Sequence, residues 1–201
     1  MLAPDITLYL LRHGETEWNV QRRFQGSQHD SPLTAKGRDQ ARSVATILRK
    51  AFDTEAPPHF TSSPAPRARA TMDIILERLG TAPTFTIEPR IQEIDLGEWS
   101  GLTRQQAQER FPDVYAARDR YRWDVPVPGG ESYKMVAIRA EDWLRSLTRD
   151  TVAVSHGGFS RIARGLILGL DADSISTLDE PQDCVFRIRG GRIERLEPTG
   201  S

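Results

Sequence analysis

The chain of 201 residues carries 27 basic against 28 acidic side chains and is 38% hydrophobic, the mixture expected of one globular domain with a sizeable core. A net charge of -1 supplies no overall field to recruit nucleic acid or an anionic membrane, so any anion must be held locally. The single cysteine, Cys184, excludes an internal disulfide and a multi-cysteine metal site; with Asp5 where a secretory signal would be apolar and no stretch long enough to span a bilayer, a cytoplasmic protein is expected.

In chain order, the apolar run 6–11 predicts a buried strand that stops at Arg12-His13-Gly14. Turn chemistry at Gln25-Gly26 and Asp30-Ser31-Pro32 precedes a helix over 34–52, with Ala41, Val44, Ala45 and Leu48 on one face. A polar linker covers 53–58, and 59–63 reads as a short strand. Pro64 and Pro66 then open a second helix with Ala70, Ile74, Ile75 and Leu79 as its apolar positions and Arg67 in its first turn. A strand is expected over 85–87, an irregular charged segment over 91–101, and one or two helices over 103–123. After the break at 126–130 comes an amphipathic helix to about 147. The clearest buried strand, 151–155, runs into His156-Gly157-Gly158 and an apolar helix to 168. Two alternating strands around Gly190-Gly191 make an edge hairpin, and 198–201 form a tail. The order predicts an α/β three-layer αβα sandwich: a mainly parallel central sheet with an antiparallel edge hairpin, in a single domain, 1–201.

His13 and His156 each follow an apolar strand directly and each precede a glycine. In open α/β sheets ligands gather beyond the carboxyl ends of strands, so the two imidazoles can meet there. Glycine beside each histidine lets a ligand approach the backbone N–H groups. Arg12 and Arg67 supply forked donors suited to a tetrahedral dianion. Histidine is also a common metal ligand, but two arginines beside these would repel a divalent cation, so no metal is expected.

The motifs carry a resemblance. Leu11-Arg12-His13-Gly14-Glu15-Thr16-Glu17-Trp18-Asn19 is similar to the signature of the histidine phosphatase superfamily, also called phosphoglycerate mutase-like. Further blocks resemble that family's in the same order: Arg22-Arg23-Phe24-Gln25-Gly26 with Ser31-Pro32-Leu33-Thr34, Ser62-Ser63-Pro64-Ala65-Pro66-Arg67-Ala68, Ile91-Gln92-Glu93-Ile94-Asp95-Leu96-Gly97-Glu98-Trp99, Gly129-Gly130-Glu131-Ser132 and Val154-Ser155-His156-Gly157-Gly158. The resemblance implies the phosphoglycerate mutase-like fold and His13 as a nucleophile forming a phosphohistidine. Arg12, Arg67 and His156 would hold the phosphoryl oxygens, with Asn19 and the Gly157 N–H as helpers. Thr16, Gln25 and Gly26 would border the substrate, and Glu93 would be the general acid and base, with Asp95 and Glu98 close enough in sequence to compete for that role. Residues 99–132 would cover the substrate, with Trp99, Phe24, Trp123 and Tyr121 as candidate walls and five arginines leaving room for an anion. The implied partner is a small phosphorylated metabolite, and a homodimer is left open. The motif wording and the compact 102–129 stretch favour a phosphatase without cofactor. The alternatives are a phosphoglycerate mutase, which would need 2,3-bisphosphoglycerate, and a phospho-ligand sensor.

Overall fold

A computed structural model describes residues 2–27, 29–52 and 57–198; most of the expected linker (53–56) and tail (199–201) lie outside the described residues. Six strands, β1 (Leu8–Arg12), β2 (His59–Ser62), β3 (Thr86–Ile87), β4 (Thr151–Ser155), β5 (Val185–Arg189) and β6 (Arg192–Leu196), form one sheet in the order β3-β2-β4-β1-β5-β6. β3, β2, β4 and β1 run parallel, and β5 and β6 add an antiparallel hairpin at one edge, as the alternating pattern predicts.

The helices are α1 (Glu17–Val20), α2 (Ala35–Ala51), α3 (Pro66–Leu79), α4 (Arg104–Arg110), α5 (Pro112–Arg120), α6 (Tyr133–Ser146), α7 (Gly157–Leu168) and α8 (Ala172–Thr177). Side chains alternate across β1, so its residues feed two cores. Tyr9 and Leu11 pack with Val44 and Leu48 of α2 and with Met72 and Ile75 of α3. Leu8 and Leu10 pack with Trp143 of α6 and with Phe159 and Ile162 of α7. This is the αβα sandwich. A third, small cluster of Trp99, Ala107 and Val127 sits beneath α4 and α5. None of the described helices is long and apolar enough to cross a membrane.

Two local readings change. The buried face of α3 carries Arg67, Ala68, Thr71, Met72, Ile75 and Leu76, rotated from the expected Ala70, Ile74 and Leu79. The cause is polar: Thr71 Oγ1 donates to the Arg67 carbonyl at 2.8 Å and accepts from the Gly14 N–H at 3.1 Å, so two polar residues share the inward face. The expected 85–87 strand shortens to Thr86–Ile87 on an exposed edge, and α8, capped by Asp171 accepting from Ser174 N, was not foreseen.

The parallel register is what assembles a site. Arg12 pairs with Ser155 and Ser62 with Val154, so β1, β2 and β4 end level with one another. The next residues are locked to the same ladders by His13 N–H to Ser155 O at 2.9 Å and Ser63 N–H to Val154 O at 3.0 Å. The start of α2 presses on the loop after β1: a Cβ on Gly37 would lie 2.1 Å from Glu15 O. Gly37→Ala must therefore shift α2 or the His13 loop, and equilibrium urea unfolding should show a loss of about 1–3 kcal/mol.

Candidate active site

Arg67, 2% exposed, is the hub of the cluster at the strand ends. Its Nε–H donates to His13 Nε2 at 3.3 Å, and Nη2 donates to His156 Nδ1 at 3.2 Å and to Gly26 O at 2.7 Å. Nη1 donates to Asp30 Oδ1 at 3.0 Å and to His29 O at 3.1 Å. One guanidinium thus ties both imidazoles to the loop that follows α1.

Those partners assign the tautomers. His13 Nδ1 lies 2.8 Å from Gly14 O, which can only accept, so Nδ1 carries the proton and Nε2 offers its lone pair. Arg67 can only donate, so His156 Nδ1 is bare and its Nε2–H donates to Ser63 Oγ at 2.7 Å. The rings face edge to face with centroids 5.1 Å apart. Burial, then the charges of Arg67 and Arg12, hold the His13 imidazole well below its usual range, with only the Gly14 bond opposing. Burial, then Arg67, His13, Arg12 and Arg139, depress His156 in the same direction. Both histidines are neutral. Arg12 donates through Nη1 to Glu180 O at 2.5 Å, while its buried Nε–H has no partner among the described residues. An anion beside these groups would answer that open donor.

A cleft of about 950 Å³ opens over the cluster, and Arg12, His13, Asn19, Gln25, Gly26, Arg67 and Glu93 line it. His156, Thr16 and Gly157 are buried just beneath. The fully buried Thr16 caps α1, accepting from Asn19 N at 3.3 Å, and donates to Gln25 Oε1 at 3.2 Å, so it supports the wall and does not face a ligand. Gly157 opens α7, where a Cβ would lie 2.7 Å from a Glu180 carboxylate oxygen, and it does not line the cleft.

Of the three candidate carboxylates, Glu93 lines the cleft and Asp95 and Glu98 do not. Glu93 Oε1 accepts from Ile94 N at 2.9 Å and Phe159 N at 3.1 Å, and Oε2 accepts from Gly158 N at 3.2 Å, which seats the carboxylate on the positive end of α7. Gly158 is required there: a Cβ would lie 2.8 Å from Glu93 Oε1. Trp99 and Phe24 also wall the cleft, whereas Tyr121 is 65% exposed and Trp123 packs against the main core. Of the five arginines expected nearby, Arg104, Arg118 and Arg122 face the cleft and Arg110 and Arg120 do not.

Sequence reading missed the 178–184 strap. Gln182 Nε2 donates to Asn19 Oδ1 at 3.0 Å and to His13 O at 3.3 Å, and Glu180 pairs with Arg161 at 3.0 Å. Because Asn19 Oδ1 also accepts from Thr16 N at 3.1 Å, its oxygen is fully used and its NH₂ is the end left to donate. Nothing in Asp179-Glu180-Pro181-Gln182 separates such a strap from an ordinary loop.

The family described as histidine phosphatase superfamily (branch 1) matches residues 8–194. A 2,3-bisphosphoglycerate-dependent phosphoglycerate mutase of Methylorubrum populi is 36% identical over 178 residues, covering 85% of this chain and 82% of its own. A mycobacterial glucosyl-3-phosphoglycerate phosphatase, solved with VO3, superposes with a TM-score of 0.80 at 28% identity, covering 96% of this chain and all of that one. The alpha-ribazole phosphatase of Shigella flexneri shares the fold, with a TM-score of 0.81 at 23% identity over 96% of each chain.

Two outcomes follow from this geometry. A histidine that stays neutral when folded but protonates near pH 6.5 when unfolded makes the unfolded chain bind more protons as pH falls. Stability should be full above about pH 6.5 and fall below it by up to about 1.4 kcal/mol per pH unit per histidine, read by urea unfolding between pH 7.5 and 5.5. Gln182→Leu frees Asn19 to turn its amide, and calorimetry should show inorganic phosphate binding weakened about five-fold.

Proposed function

Because the chain belongs to the histidine phosphatase superfamily (branch 1), we propose that it is a metal-independent phosphomonoester hydrolase acting on a small phosphorylated metabolite in the cytoplasm. The observation that carries this reading is the bare Nε2 of a neutral His13, held at 3.3 Å from a buried guanidinium beside an unpartnered Arg12 Nε–H.

His13 Nε2 attacks phosphorus in line as the bond to the ester oxygen breaks, and Glu93 delivers the proton that the departing alkoxide takes up. Arg12, Arg67 and Asn19 receive the phosphoryl oxygens, and His156, at hydrogen-bond distance from Arg67, completes the cradle from below. Water then gives its proton to Glu93 and attacks phosphorus; the P–N bond breaks, returning neutral His13 and inorganic phosphate. Residues 99–132 cover the substrate. The mutase reading is supported by the Methylorubrum relative's name, and under it 2,3-bisphosphoglycerate would charge His13. Hydrolysis is favoured by the likeness to the mycobacterial phosphatase along its whole length and by a 102–129 stretch that forms only the short helices α4 and α5 before its turn.

With p-nitrophenyl phosphate in excess EDTA the purified protein should release nitrophenol. His13→Ala should abolish both turnover and an acid-labile phosphoenzyme, and Glu93→Gln should slow turnover by about 10²–10⁴ fold while phosphate affinity changes little. No turnover of any phosphomonoester, together with conversion of 3-phosphoglycerate to 2-phosphoglycerate that depends on 2,3-bisphosphoglycerate, would establish the mutase instead.

A further inference from the structure

One further arginine in the cleft takes its partners from the cleft itself. Arg161, one turn into α7, lines it together with Tyr133 of α6 and Glu180 of the strap. Helical side chains lean toward the start of their helix, which carries this guanidinium back toward the strand ends. Its Nε–H donates to Leu178 O at 2.7 Å, Nη1 donates to Tyr133 Oη at 3.0 Å, and Nη2 pairs with Glu180 Oε1 at 3.0 Å. Burial works against the cation, but Glu180, Tyr133 and Glu93 together raise it above its usual range, so the proposed acid lies within electrostatic reach of this clamp.

Holding the strap requires only the Nε bond. The two Nη contacts engage one lone pair of a hydroxyl and one oxygen of a carboxylate, and they leave the other half of each open. Tyr133 is 4% exposed, yet its own O–H donates to no acceptor among the described residues. A buried donor in that state costs free energy until something entering the cleft accepts from it. The ring is held in place by the main core and by Arg118 and Arg122, which lie over it at 5.8 and 5.7 Å. Glu180 Oε2 lies 2.7 Å from where a Gly157 Cβ would stand and accepts no hydrogen bond from a described residue. The backbone beneath it is fixed as well, because the Glu180 carbonyl accepts from Arg12 Nη1. A fixed donor and a fixed acceptor therefore stand on the two terminal nitrogens of one guanidinium, whose charge the carboxylate cancels. An anion would meet the carboxylate here and a cation the donor, whereas a hydroxyl, which accepts and donates at once, matches both.

We infer that Tyr133 and Glu180, clamped by Arg161, bind a hydroxyl of the substrate's alcohol, with Tyr133 donating to its oxygen and Glu180 accepting from its O–H. This rests on the hydrolase reading and narrows its substrate class to phosphate monoesters of polyols or sugars.

The test uses matched esters that differ only in hydroxyl groups: glycerol 3-phosphate against propyl phosphate, and sorbitol 6-phosphate against hexyl phosphate. Kinetics on the native protein are run beside calorimetry on His13→Ala, which reads affinity without turnover. In at least one pair the hydroxylated member should bind about ten-fold more tightly. Added to His13→Ala, Tyr133→Phe and Glu180→Gln should each reduce that preference at least about three-fold. Taking the ratio within a pair removes any effect of either substitution on the phosphoryl cradle. Tyr133→Phe keeps the ring and Glu180→Gln keeps the side-chain shape; thermal unfolding checks both, and if one fails to fold the other carries the result. A preference below about three-fold in both pairs, or one that the folded variants retain, overturns the inference. Absence of p-nitrophenyl phosphate turnover in the native protein would instead count against the hydrolase reading, and the calorimetric comparison still decides this one.

Discussion

The site depends on a single buried guanidinium with no spare donor. Every N–H of Arg67 is spent, on two imidazoles, two backbone carbonyls and one carboxylate, which come from three separate stretches of chain: His13, the 26–30 loop and His156. Asp30 repays part of the cost of burying that charge. The histidines cannot share the task, because the same burial and the same cation keep them uncharged. The cluster thus carries two arginine charges while His13 is neutral, a combination that suits the proposed attack because a dianion is attracted without protonating Nε2.

Under the proposed reaction an arriving dianion would compete for the Arg67 donors that the two imidazoles now accept. Arg12 would need less rearrangement, because its Nε–H has no partner among the described residues. The carboxylate of Glu93 sits outside this exchange, fixed by the N–H of its neighbour Ile94 and by the Gly158 and Phe159 N–H groups at the start of α7. The groups proposed to hold the phosphoryl oxygens and the one proposed to handle the leaving group's proton are therefore supported by separate scaffolding.

Much of this was legible before any coordinates. The β1 and β4 runs end in His-Gly, which predicts both imidazoles at strand ends, and the parallel β1–β4 pairing puts those ends side by side. The family resemblance supplied Glu93, and the cleft then separated it from Asp95 and Glu98. What escaped were features that carry no local pattern. The inward face of α3 was misread because Arg67 and Thr71 point in with Met72, and polar side chains break an apolar stripe. Gln182 escaped because its role is to saturate the oxygen of Asn19 across 163 residues of chain, which no spacing rule reports.

The two halves of the cleft also differ in how they are anchored. The wall that carries the two histidines grows from three strands buried on both faces, so its positions are set by the ladders themselves. The wall made by α4 and α5 rests on a cluster whose fully buried members are Trp99, Ala107 and Val127, and it returns to the main body through Arg118 and the 121–131 turn. A wall with so small a core can change its residues without disturbing the strand ends, because side chains in separate clusters couple weakly. Under the proposed function, substrate choice would then vary above one fixed floor, which fits relatives of one fold being named for different phosphorylated metabolites.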